Sequence, residues 1–135
     1  MAMATDEQII SLDGDGSILM NMGTVASIGR EQPNNLTVIV WDNEKWGQTG
    51  GQTSHTGMGT DLEKVAQSCG IARTKTVTDL EDLEAAVSEA LTTEGPNFIV
   101  AKIEEAGYLS VAPVEPEFTL YRFRNTFVEP RQPGG

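Results

Sequence analysis

The run Leu36-Thr37-Val38-Ile39-Val40-Trp41 constrains the fold more than any other feature of this chain. It is almost continuously apolar and rich in β-branched side chains, which suit an extended backbone. A strand with one wet face would alternate polar and apolar residues. An unbroken apolar run is what a parallel strand covered on both faces requires. Asp42-Asn43 closes it. Asn97-Phe98-Ile99-Val100-Ala101-Lys102-Ile103 repeats the pattern near the other end. A shorter run, Gln8-Ile9-Ile10-Ser11-Leu12, reads as a buried strand entering the turn Asp13-Gly14-Asp15-Gly16. Ile71 to Val77 has room for one more short strand.

Helical patterns separate these runs. Ile18, Met22, Val25 and Ala26 recur at helical spacing within Ser17 to Gln32, and Pro33 ends that segment. Gly23 and Gly29 inside it weaken a helix by about 1 kcal/mol each and suggest close approach to another backbone. Thr60-Asp61-Leu62-Glu63 and Thr78-Asp79-Leu80-Glu81 match the capping-box pattern of hydroxyl and carboxylate. Leu62, Val65, Ala66 and Cys69 form one stripe, closed by Gly70. Leu80, Leu83, Val87, Ala90 and Leu91 form another, closed by Gly95-Pro96. The order β-α-β-loop-α-β-α-β predicts an α/β domain, a three-layer α/β/α parallel sheet with right-handed crossovers. That domain is expected over residues 1–105. From Glu104 the pattern is lost, and residues 106–135 are expected to form a C-terminal tail. The alternating run Phe118 to Phe123 reads as a strand there. With Arg122 and Arg124 beside it, it is either a partner-docking edge or a solvated tail.

Charge narrows the function. Nine Lys and Arg stand against 20 Asp and Glu, a net charge of -11. Phosphate neutralisation needs a basic surface, so nucleic acid is not an expected partner, and neither is an anionic membrane. No apolar run approaches the ~18 residues of a membrane span. The first residues have no basic flank and no apolar stretch, so no signal peptide is expected. The single cysteine forbids an internal disulfide and fits a reducing compartment, hence the cytoplasm.

Parallel sheets bind ligands beyond the carboxyl ends of their strands. Asp15 follows the first strand and Asn43 the second, and the strand-helix-strand passage between them brings both to one edge. Their oxygens are hard donors that suit Mg²⁺ or Ca²⁺. Two side chains are too few for a protein-only cage, so phosphate oxygens and water would complete the shell. Gly14 and Gly16 allow the backbone to approach an anion, and Ser17 and Ile18 open a helix whose amides favour one. The same residues also fit a plain strand-to-helix turn. A Rossmann fingerprint fails, because Leu19 stands where the third glycine belongs, and no Walker loop is present.

Gly14-Asp15-Gly16-Ser17, then a helix, then a strand ending Asp42-Asn43, resembles the thiamine diphosphate motif. Trp46-Gly47-Gln48-Thr49-Gly50-Gly51-Gln52 resembles a segment of the sulfopyruvate and phosphonopyruvate decarboxylases, as does Met20-Asn21-Met22-Gly23-Thr24. The resemblance implies a thiamine diphosphate-binding fold, in its diphosphate-binding domain. It implies that Asp15 and Asn43 bind Mg²⁺ through their side chains and Lys45 through its backbone carbonyl. Gly14, Gly16 and Ser17 would hold the diphosphate. Asp42 stands where many members have Asn, at a position that is not a metal ligand. The implied chemistry is decarboxylation of a 2-oxo acid. The glutamate that activates the aminopyrimidine comes from a pyrimidine-binding domain, which a partner subunit of a hetero-oligomer would supply. Family members normally carry about 30–40 further residues before the Gly-Asp-Gly strand, roughly one βαβ module. Here only Met1 to Glu7 precede it, so that N-terminal part is expected to be missing or contributed by a partner. Two alternatives remain beside the decarboxylase: another thiamine enzyme of acetolactate synthase or 2-oxoacid oxidoreductase type, or a non-catalytic binding module that keeps only the fold.

Other residues carry two readings each. His55, the sole histidine, is either a catalytic proton-transfer or substrate group or an exposed loop residue. Trp46, with Gly47 after it, packs beside the cofactor or serves an interface or core. Gln48, Thr49 and Gln52 line a pocket or satisfy loop amides. Lys45 answers an anionic substrate or none. Cys69, on an apolar stripe, reads as core filler. The loop from Glu44 to Gly59 has no period, and so long a connection is usually functional.

Overall fold

The computed structural model describes residues 1–104 and 115–127. The chain divides into two compact units, Met1–Glu105 and Ala106–Gly135. The first is built on four parallel strands: β1 (Ile9–Gly14), β2 (Leu36–Asp42), β5 (Arg73–Val77) and β6 (Asn97–Lys102), in the order β1-β2-β6-β5. Helices α1 (Asp15–Met20) and α2 (Gly23–Glu31) join β1 to β2, α3 (Leu62–Ser68) leads into β5, and α4 (Leu80–Thr92) joins β5 to β6. A small antiparallel ribbon, β3 (Lys45–Trp46) and β4 (Gln52–Thr53), sits in the long connection after β2.

Crossover handedness explains which helix covers which face. The chain steps one way across the sheet from β1 to β2 and on to β5, then steps back to β6. Right-handed crossovers place the helices of the outward steps on one face and that of the return step on the other. Ile18 of α1, Val25 of α2, and Leu62 and Ala66 of α3 accordingly pack with Val38, Val40, Phe98 and Val100. Ala86 and Ala90 of α4 pack with Val77, Ile99 and Ala101 on the opposite face. The two unbroken runs, β2 and β6, are the central strands buried on both sides, as their composition required.

Four local expectations are corrected. The segment Ser17 to Gln32 is two helices. Asn21 leaves the helical region (φ -142°, ψ 61°), and its amide donates to the Ile18 carbonyl three residues back. A short polar residue that competes for backbone bonds ends a helix readily, and Gly23 begins the next one. The helix after the first turn also starts at Asp15, two residues earlier than Ser17. Next, β1 is an edge strand with one bare face. Ile10 and Leu12 share a side of the sheet with Thr37 and Ile39 in register, but α4 covers only the β5–β6 half, so they stay 46% and 63% exposed. Of the two helical glycines, only Gly29 meets a backbone: a methyl there would run into the Cys69 carbonyl, whereas Gly23 faces only the Asn21 side chain. Cys69 is half-buried and packs against the core, as its stripe suggested.

The capping residues are the fourth correction. The N-caps of α3 and α4 are Asp61 and Asp79, whose carboxylates accept from the amides of Lys64 and Asp82 at 3.1 and 2.8 Å. The threonines lie one position outside.

In the second unit, residues 116–127 form a helix, α5 (Pro116–Phe127), and not a strand. Its contacts run four residues apart: Arg122 lies 5.9 Å from the Phe118 ring, Phe123 and Phe127 lie 5.2 Å apart, and the Thr126 hydroxyl donates to the Arg122 carbonyl. These pairs favour a helical period over the alternating one, and Pro116 suits its first turn. The docking-edge reading of Phe118 to Phe123 is overturned with it. Residues 106–114 and 128–135 of the expected tail, and residue 105 before it, lie outside the described residues.

The caps give a direct test. Asp61→Ala and Asp79→Ala should each cost about 1 kcal/mol. Thr60→Ala and Thr78→Ala should each stay within about 0.5 kcal/mol. Urea denaturation midpoints at neutral pH distinguish the two sets.

Candidate functional site

Parallel neighbours end together, so β1 and β2 deliver their last residues to one rim. Gly14 is level with Trp41, which brings the next residues, Asp15 and Asp42, alongside each other. Both carboxylates are 2% exposed. A buried carboxylate needs hydrogen bonds or a counter-charge, and a segment from the long connection supplies them. Ser54 donates to Asp15 Oδ2 at 2.5 Å, and Thr56 lies 3.1 Å from the same oxygen. Thr56 also donates to Asp42 Oδ1 at 2.7 Å, while Ser54 and Thr56 contact each other at 2.8 Å. The Glu44 amide adds a bond to Asp42 Oδ1, and Lys102 Nζ pairs with Asp42 Oδ2 at 2.8 Å and with Glu44 at 2.7 Å. Lys102 ends β6, level with Asp42, so three strand ends are tied in one network.

Asn43 follows directly. Its Oδ1 accepts from the Lys45 amide at 3.1 Å, an Asx turn that fixes the side chain on this rim. The Glu44 carbonyl accepts from the Ser54 amide and the Trp46 carbonyl from the Gly51 amide. The carbonyls on either side of Lys45 are thus engaged within the ribbon. The half-buried Trp46 ring lies on Gly16, where a Cβ would come within 2.8 Å of it, which makes glycine obligatory there. At Gly14 a Cβ would meet only the Trp41 carbonyl, at 4.0 Å. Ser17 is exposed in the first turn of α1, and Gly47 opens a short turn beside Trp46.

His55 is exposed. Its ring stands edge-on to Trp46 at 6.1 Å between centroids. Thr49 and Gln52 bond to each other, and both reach backbone carbonyls of their own loop. The connection, aperiodic in sequence, therefore contains a folded ribbon.

The structure thus brings Asp15, Asn43, Lys45, Trp46 and Gly16 to one rim. Ser54, Thr56, Asp42 and Lys102 are the residues that the motif reading left without a role. The hydroxyls had no local signal: His55 between them has helical backbone angles (φ -65°, ψ -24°) and Thr56 opens a short turn, so no strand alternation relates Ser54 to Thr56. The pairing of Lys102 with Asp42 had no signal in the sequence, because it depends on which strands become neighbours.

The donor set suits a hard divalent ion. Asp15 offers a buried carboxylate, Asn43 an amide oxygen and Lys45 a backbone carbonyl, all oxygens. Among the described residues no group of three or more His, Cys, Asp or Glu could hold a metal. An ion here would complete its shell with ligand oxygens, as Mg²⁺ does on phosphates.

Oxygen donors and an open glycine turn at the carboxyl rim of a parallel sheet suit a phosphate-bearing ligand with its cation. Residues 1–101 match the model for "Thiamine pyrophosphate enzyme, C-terminal TPP binding domain", and the chain belongs to that family. It is 38% identical over 118 residues to the sulfopyruvate decarboxylase subunit beta of Methanocaldococcus jannaschii, covering 84% of this chain and 62% of that one. Against the same-named subunit of Methanococcus maripaludis it is 37% identical, covering 93% and 67%. The phosphonopyruvate decarboxylase of Streptomyces viridochromogenes is 38% identical over 73% of this chain and 25% of its own length. The chain therefore spans about two thirds of these beta subunits and a quarter of the phosphonopyruvate enzyme. The fold is also that of the thiamine diphosphate-dependent 4-hydroxybenzoylformate decarboxylase of Rhodococcus jostii RHA1, with a TM-score of 0.55 at 19% identity over 78% of this chain and 21% of that one.

The Lys102 pair makes a quantitative prediction. Burial lowers its pKa, but the bonds to Asp42 and Glu44 and their charges outweigh it and hold the value above the ordinary 10.5. Its stabilisation is fully present below 10.5 and is lost as pH rises through the raised folded-state value. Lys102→Met should cost about 2 kcal/mol at pH 7, less than the ~3–5 kcal/mol of an enclosed pair, because lysine is partly solvated. The gap to wild type in denaturation midpoints should close only at alkaline pH beyond 10.5.

Proposed function

We propose that this chain is the diphosphate-binding subunit of a thiamine diphosphate-dependent 2-oxo acid decarboxylase, with a 3-sulfo- or 3-phosphono-2-oxo acid as substrate. The observation that carries the reading is the meeting of β1 and β2 at one rim. One hydroxyl, that of Thr56, reaches both the buried Asp15 carboxylate and Asp42, next to Asn43. The substrate class rests on the names of the relatives and on the resemblance of Trp46 to Gln52 to a segment of such decarboxylases.

In this reading Asp15, Asn43 and the Lys45 carbonyl hold Mg²⁺. Gly14, Gly16 and Ser17 accommodate the diphosphate, and Trp46 with Gly47 walls the cofactor. When bound, thiamine diphosphate supplies the carbanion and electron-sink chemistry on which decarboxylation depends. The chain's own contribution is position and charge. The buried carboxylate favours the dication, and the dication offsets the diphosphate. The ribbon carries His55 over the same rim, where its imidazole can hold or move a proton near the substrate. The pyrimidine ring and its activating glutamate belong to a partner subunit, which fits the designation "subunit beta" of the relatives. The lone cysteine of this chain supports a reducing compartment such as the cytoplasm for the assembly.

Thermal unfolding of the chain, co-expressed with a pyrimidine-binding partner, tests this. The midpoint should rise with thiamine diphosphate and Mg²⁺ together and not with either alone. Asp15→Ala should abolish the rise. Carbon dioxide release from a panel of 2-oxo acids should be greatest for sulfonate- or phosphonate-bearing members. A shift with the cofactor in excess chelator, or none with the partner present, refutes the site.

A further inference from the structure

Resting on the reading of Asp15 as an ion ligand, we propose that Ser54 and Thr56 are positioning residues for it: their hydroxyls hold Asp15 Oδ2 and direct the carboxylate toward the ion. A carboxylate turns freely about its last torsion, which is broad and roughly two-fold. Both hydroxyl contacts here fall on Oδ2, from Ser54 at 2.5 Å and from Thr56 at 3.1 Å. They fix the plane of the group and leave the ion to approach through Oδ1. Ser54 is 0% exposed and Thr56 is buried, so water does not compete for either hydroxyl.

The Thr56 hydroxyl lies within hydrogen-bond reach of both Asp15 Oδ2 and Asp42 Oδ1, and the Ser54 hydroxyl donates to Asp15 Oδ2 while touching Thr56, so the two hydroxyls couple the carboxylates of neighbouring strand ends. Thr56 also spans to Asp42, which Lys102 anchors to β6. It therefore sets the separation of the two strand ends as well as the rotation of Asp15. The ribbon delivers both hydroxyls, because the Ser54 amide is tied to the Glu44 carbonyl at 2.8 Å.

The experiment measures the Mg²⁺ concentration for half-maximal thiamine diphosphate binding by calorimetry on the partnered protein. Mn²⁺ paramagnetic resonance is a second readout that needs no turnover, and ligand-free circular dichroism checks folding. Thr56→Val removes the hydroxyl at constant shape and should raise the Mg²⁺ requirement about tenfold to a hundredfold, the usual range for groups that orient a metal ligand. Thr56→Ser restores the hydroxyl and should return it to within about threefold, a rescue that a purely packing role would not give. Ser54→Ala should weaken Mg²⁺ about tenfold. If Thr56→Val does not fold, Ser54→Ala decides: a tenfold loss supports the assignment and an unchanged requirement overturns it. Unchanged Mg²⁺ dependence in Thr56→Val and Ser54→Ala overturns the positioning role alone, provided Asp15→Ala abolishes binding. Unchanged dependence in Asp15→Ala overturns the ion-ligand reading beneath it as well.

Discussion

The burial of two carboxylates at the end of a parallel sheet is the constraint that the rest of the first unit serves. Asp15 and Asp42 sit on neighbouring strands with almost no access to water. Left unpaired, each would cost several kcal/mol or take up a proton. The fold answers with two different devices. Asp42 receives a lysine from the adjacent strand, and Asp15 receives hydroxyls from a ribbon that folds back over the rim. The difference matters chemically. A carboxylate matched to a fixed lysine has little left to offer a ligand, whereas one held by neutral hydroxyls keeps its charge for something else.

The glycines of the first turn acquire separate meanings from this arrangement. Gly16 is required by the protein itself, since the Trp46 ring occupies the space a side chain would take. Gly14 faces no such neighbour, and its backbone is extended, not left-handed. In the proposed reading, that open space serves the diphosphate. The two glycines of one short motif therefore differ in their surroundings, and the neighbouring ribbon makes the difference.

Much of this was legible in the sequence. The unbroken runs at Leu36 to Trp41 and Asn97 to Lys102 identified the central strands because nothing but burial on both faces supports such composition. The helix positions followed from stripes and caps, and the motif brought Asp15 and Asn43 to one edge. What failed did so for identifiable reasons. Period alone did not reveal the break at Asn21, which is a local backbone preference. Alternation in Phe118 to Phe123 read as a strand, although contacts between residues four apart make it helical. Caps were placed one residue early because Thr and Asp adjoin and both can cap. At the site, residues of the motif were visible and their supports were not. Ser54, Thr56 and Lys102 gain their roles through contacts across 39, 14 and more positions of chain, which no local pattern encodes.

The uneven dressing of the sheet has a consequence for how copies of this chain behave in solution. Among the described residues of the first unit, three helices cover one face and one covers the other, and Ile10 and Leu12 project from an edge strand that no described strand pairs on its outer side. Mutual repulsion from a net charge of -11 opposes self-association through that strip at neutral pH. Near the isoelectric point of about 4.3 that repulsion vanishes while the greasy edge persists. Acidification therefore removes the molecule's colloidal protection, making mild acid a hazard in handling the isolated chain.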